Sequence, residues 1–124
     1  MNYLDLVFFL GRVLFGGFFI LNGIDHFTKH DMLAGYAASK GVPMASTAVY
    51  LTGSLLTLGG LGVLLGFYVE WALVLLVIFL VPVSFMMHAF WKVADAQAKM
   101  MDKIQFQKNM ALLGAVLMLL ALWK

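Results

Sequence analysis

From Ala45 to Val69 the sequence runs without one charged side chain. A helix crossing about 30 Å of hydrocarbon needs roughly 20 apolar residues. Such a helix also closes its own backbone hydrogen bonds, as lipid requires. The stretch therefore predicts a membrane span, and three others read the same way. They cover about 4–27, 71–90 with Pro82 near its middle, and 106–123, whose first turn is polar (Gln107, Lys108, Asn109). Of the 124 residues 64% are hydrophobic and 11% charged, against about 25% charged in soluble domains. So little polar material cannot coat a water-soluble globule. The expected fold is all-α: an integral membrane four-helix bundle, one domain over 1–124, with the lipid bilayer as its first partner.

Other classes fall away on composition. Eight basic and six acidic groups, net +2, make no phosphate-binding surface, so a nucleic-acid partner is not expected. There is no cysteine, which removes thiolate, iron–sulfur and cysteine–zinc chemistry. The first apolar segment begins Met-Asn-Tyr-Leu-Asp and is interrupted by Arg12, a pattern of a span rather than a secretory signal peptide.

Four spans put both termini and the 66–70 turn on one side, and the 28–44 and 91–108 connections on the other. The second side holds Lys29, Lys40, Lys92, Lys99, Lys103 and Lys108; the first holds Lys124, with Arg12 nearest. The positive-inside rule places the two long connections in the cytoplasm and both termini outside, and the membrane expected is a bacterial cytoplasmic (inner) one. Both connections read as short interfacial helices. Asp31 is expected to cap one whose Met32, Leu33, Tyr36 and Ala37 share a face, ended by Gly41 and Pro43. Trp91, Ala94, Ala98, Met101 and Ile104 recur at spacings of three and four, giving a second interfacial helix or an extension of spans three and four.

Polar side chains within spans are costly and therefore informative. At 100° per residue, Arg12, Gly16, Phe19, Gly23 and His26 fall on one face of span one, Gly23 and His26 at the end opposite the chain's start. At that end Asn22, Asp25 and His26 share a depth with Ser84 and His88 of span three and with Gln105, Lys108 and Asn109 of span four. A convergence of these groups could ligate a metal, relay protons or hydrogen-bond a quinone carbonyl. Spacing gives a metal no support, since His26 and His30 share a face only if the helix continues past the span end. The ligand-binding or proton-relay candidates are thus Arg12, Asn22, Asp25, His26, His88 and Asn109. Gly16, Gly23, Gly62 and Gly66 are expected to pack helices within the bundle; a homo-oligomer face is the second reading of the Gly62/Gly66 pair.

The run Arg12-Val-Leu-Phe-Gly16-Gly-Phe-Phe19-Ile-Leu-Asn22-Gly23-Ile-Asp25-His26-Phe27, followed by Ser39-Lys-Gly41-Val-Pro43, resembles the opening of the DoxX family. His88-Ala-Phe-Trp91 and Gln105-Phe-Gln-Lys108-Asn109-Met-Ala-Leu-Leu-Gly114 are similar to that family's second half. The resemblance implies a four-helix membrane bundle associated with membrane redox complexes; related DoxD-type chains belong to a thiosulfate:quinone oxidoreductase. It points to Arg12, Gly16, Gly23, His88 and Asn109 as family positions, and to His26 where many members carry lysine or histidine. Many members have a glutamate early in the second span, where this chain has Thr52, Ser54 and Thr57. The function expected is a small membrane subunit of an oxidoreductase system, interacting with the quinone pool and a redox partner protein, with a quinone as the candidate cofactor. The alternative is a non-catalytic assembly or binding module that presents its lysine-rich connections to a partner protein or to lipid.

Overall fold

The computed structural model describes residues 2–123 as five α-helices and one short 3-10 turn, with no strand among them. Lys124, counted in the charge bias above, lies outside the described residues. Helix α1 spans Tyr3–Thr28, α2 His30–Ser39, α3 Ala45–Leu65, α4 Val69–Met87 and α5 Ala96–Leu122, with the 3-10 turn at Phe90–Lys92. The four long helices are long and apolar enough to cross a bilayer. The protein is an all-α membrane bundle.

Helix α1 starts on a capping box, Asn2 Oδ1 accepting from the Asp5 N–H and the Asp5 carboxylate from the Asn2 N–H. It packs most extensively on α3, α3 in turn on α4, and α4 on α5. Phe8 of α1 meets Trp123 edge-on with ring centroids 4.7 Å apart, which puts both ends of the chain at one end of the bundle. That end also holds the Gly66–Tyr68 turn between α3 and α4. We call it the terminal end; α2 and the 3-10 turn form the connection end.

The α1–α3 contact explains the glycines. A Cβ on Gly16 would stand 2.7 Å from the Gly60 carbonyl oxygen, and one on Gly23 would run into Thr57 Oγ1. Phe19, between these two close approaches, is buried with Leu56 and Val63 of α3, Leu73, Leu76 and Leu80 of α4, and Val116 of α5. Without a hydrophobic drive between helices in lipid, such backbone proximity does much of the packing. Gly62 sits against Ala72 of α4, so its open face is used inside the chain. Gly66 ends α3 at φ +68°, a conformation that favours glycine.

One expectation about the connections needs correction, and of the two readings of 91–108 the helix extension is the one observed. Asp31 is not the cap of α2: the helix starts directly at His30 with Lys29 as its N-cap, because α1 runs to Thr28 and leaves no free residue between. Asp31 lies in the first turn instead, its carboxylate facing His30 Nδ1 at 3.1 Å. The 91–108 stretch resolves into the 3-10 turn and an early start of α5, ten residues before the expected 106, where the Asp95 carboxylate caps Ala98 N–H. The stripe Trp91, Ala94, Ala98, Met101 and Ile104 faces outward, while Asp102, Asn109 and Val116 are the buried residues of α5. In a bilayer an apolar stripe has no reason to turn inward.

Candidate functional site

Arg12 accounts for one of the costly polar groups. At the end of α3 the Phe67 N–H turns back to the Gly62 carbonyl, leaving the Val63 and Leu64 carbonyls without the donors an unbroken helix would give them. Arg12 Nε donates to the first at 3.3 Å and Nη2 to the second at 2.8 Å. Its guanidinium also lies within 6 Å of the Phe8, Phe9 and Trp123 rings. A cation at a helix C-terminus is where the helix dipole favours it.

At the connection end the expected single cluster divides into two places. Asn22 and Ser84 donate to their own helices, to the Phe18 and Leu80 carbonyls, and Asp25 pairs with Lys29 at 3.8 Å across an exposed turn. Among the described residues no hydrogen bond links His26 to His88 or either to Asn109. His26 and His30 do not share a helix, since α1 ends at Thr28. Among the described residues no three His, Asp or Glu side chains gather as a metal-ligating group.

The first place is an ion-paired knot. Asp102, 5% exposed on α5, accepts from Lys40 Nζ at 2.5 Å and faces His88 Nδ1 at 3.3 Å. Lys40 is the C-cap of α2 and His88 that of α4, so one carboxylate of α5 ties the ends of two other helices. Its hydrogen bond with Asp102 holds the Lys40 ammonium above the ordinary lysine range. His88 is among the groups the sequence marks; Asp102 is not, although it is the one charged residue on the buried 102–109–116 face of α5. That seven-residue spacing was the available signal. Asn109, also 5% exposed, follows on the same face.

The second place is a cavity of about 310 Å³ between α2, α3 and α4, with His26 of α1 in its wall. Helix α2 lies over it with Leu33, Tyr36 and Ala37; α3 supplies Ala48, Val49, Thr52 and Leu55, and α4 supplies Ile78, Phe79, Pro82, Val83 and Met86. Leu51 and Ile78, also in its wall, are 59% and 50% exposed, so it opens sideways between α3 and α4 toward the bilayer. The lining is apolar but for His26, Thr52 and Tyr36. His26 Nδ1 lies 2.7 Å from the Asn22 carbonyl oxygen. A carbonyl only accepts, so Nδ1 carries a proton, and in the neutral ring Nε2 keeps its lone pair. A Cβ on Gly53 would stand 2.7 Å from His26 Cβ, which shows why glycine faces the imidazole there.

Helix α2 is held at its other end too. His30 has Nε2 at 2.9 Å from the Ser46 carbonyl oxygen, stacks on Tyr50 with centroids 3.9 Å apart, and is 11% exposed. The Ser46 carbonyl and then the Asp31 carboxylate favour a doubly protonated ring, raising His30 above the usual histidine range.

Comparison with curated proteins and with solved structures gave no match. The DoxX family model matches residues 7–89, from the first turns of α1 past the end of α4, and so includes Arg12, His26, the cavity and His88. With more than half of its length matched, this chain belongs to the DoxX family.

Proposed function

We propose that the protein is a small membrane subunit of an oxidoreductase system and that a quinone of the bilayer occupies the cavity beside His26. The observation that carries this reading is the cavity itself. It is apolar, opens to lipid between Leu51 and Ile78, and holds an imidazole with a free ring nitrogen. Ligand sites are typically apolar hollows with a few placed polar groups, and a quinone is an apolar ring with two oxygens that arrives through the bilayer. The side chains offer no obvious redox centre, so electrons would pass between the quinone and a redox partner protein or a further bound cofactor. Lys92, Lys99 and Lys103 are exposed and have no carboxylate within ion-pair distance among the described residues. They offer that partner a basic landing surface, and by the positive-inside rule the connection end lies in the cytoplasm with both termini outside.

The test is solvent extraction and mass spectrometry of the detergent-purified protein, beside an Ala48→Phe variant that fills the cavity. The expected result is stoichiometric quinone with the native chain and none with Ala48→Phe, whose thermal stability is unchanged or raised. If quinone is absent from both, the lysine surface favours the second reading, an assembly module that recruits a partner or anionic lipid.

A further inference from the structure

The hydrogen-bonding groups in the cavity are not neutral as to what they accept. His26 Nδ1–H is committed to the Asn22 carbonyl, so the free nitrogen of the ring, Nε2, offers a lone pair. Thr52 Oγ1–H is committed to the Ala48 carbonyl at 2.8 Å, with Val49 O at 3.2 Å, so this hydroxyl too has lone pairs to offer. Pro82 has no N–H to give the Ile78 carbonyl one turn earlier in α4, and both residues are in the cavity wall. Three acceptors thus belong to residues of the wall. Among the described side chains in the wall, Tyr36 alone is free to donate, and it stands at the rim, 45% exposed, with Lys40 Nζ 5.8 Å from its ring centroid.

A ligand that fits these groups must bring its own donors. An oxidised quinone presents two carbonyl acceptors, which would face lone pairs across a low-dielectric gap and leave both sides unpaired. A hydroquinone presents two hydroxyls. We propose that the cavity is a site for the reduced, dihydroxy form of the ring, with one hydroxyl donating to His26 Nε2 and the other to the Thr52 hydroxyl or the Ile78 carbonyl. This rests on the quinone reading above and adds to it the redox state that is bound. By linkage, a site that prefers the reduced form raises the midpoint potential of the bound couple and makes the bound quinone a stronger oxidant than the free pool.

The experiment compares anaerobic binding of a one-isoprenoid ubiquinol with that of the matching ubiquinone, by equilibrium dialysis of the whole chain in detergent at neutral pH. The reduced form is expected to bind at least about tenfold tighter, the worth of one net hydrogen bond. For a two-electron couple that ratio corresponds to a rise of about 30 mV in midpoint potential. His26→Gln, which offers a donor as well as an acceptor, and Thr52→Val are each expected to narrow the gap, while Ser54→Ala, outside the cavity wall, leaves it unchanged. Nitrogen-15 NMR of labelled histidine is expected to show His26 as the Nδ1–H tautomer. Equal affinity for the two forms, tighter binding of the oxidised one, or an Nε2–H tautomer overturns this inference and leaves the quinone reading standing. No saturable binding of either form overturns the quinone reading itself.

Discussion

At the scale of the residue, Arg12 and His30 show how a polar side chain inside or beside a membrane is kept by what it satisfies. The Arg12 guanidinium takes the two carbonyls that the turn at Gly66 leaves over. Arg12→Met is expected to cost about 2–4 kcal/mol, two hydrogen bonds from a charged donor, read as a lower unfolding temperature in detergent. The quinone content of the folded fraction should not change; a loss of quinone at unchanged stability would assign Arg12 to the ligand instead. For His30 the direction is set by its two acceptors, the Ser46 carbonyl and the Asp31 carboxylate. Its folded-state pKa is raised, so its contribution is complete below the unfolded value of about 6.5 and is lost as pH rises through the folded value. Hydrogen-exchange protection of α2, corrected for intrinsic rates, should therefore fall as pH rises above that point. His30→Gln should flatten the dependence, and a flat profile in the native chain would contradict the assignment. Of the candidates named from the sequence, the glycine face of α1 was legible because helical periodicity alone determines it. The partners of Arg12 were not, because they depend on where another helix stops.

At the scale of the element, the four spans were legible from uninterrupted apolar runs, and their ends less so. Helix α5 begins at Ala96 rather than 106 because the polar stretch before the apolar run has its own cap at Asp95 and its own buried carboxylate at Asp102. Hydropathy registers neither. The small helix α2 lies over the cavity and is fastened at one end by His30 and at the other by Lys40 on Asp102. Removing one member of such a pair leaves a charge without its partner, at about 3–5 kcal/mol when fully buried and less here, where Lys40 keeps some exposure. Asp102→Ala is expected to destabilise the chain by about 2–3 kcal/mol, and Lys40→Met added to it should cost little more. Additive losses in this double-mutant cycle would show that the two residues act separately.

At the scale of the whole molecule, the cavity is the feature no segment of sequence contains. Its wall draws on α1, α2, α3 and α4 together, and its acceptors come from positions that read as ordinary span residues: Thr52, a threonine among apolar neighbours, and Pro82, a helix breaker. His26 was visible as an intramembrane imidazole, but that His88 would instead face Asp102 of α5 was not. The membrane bundle and the family thus follow from the chain's apolar pattern and its match to DoxX, and the cavity follows from packing. The most direct test of that site is photolabelling in native membranes with an azido-quinone, followed by mass spectrometry of the adducts. Adducts are expected on the 48–55 stretch of α3 and the 78–87 stretch of α4, displaced by excess unlabelled quinol and lost in Ala48→Phe. Adducts confined to the lipid-facing surfaces of α1 and α5, or labelling that Ala48→Phe leaves intact, would contradict the quinone reading.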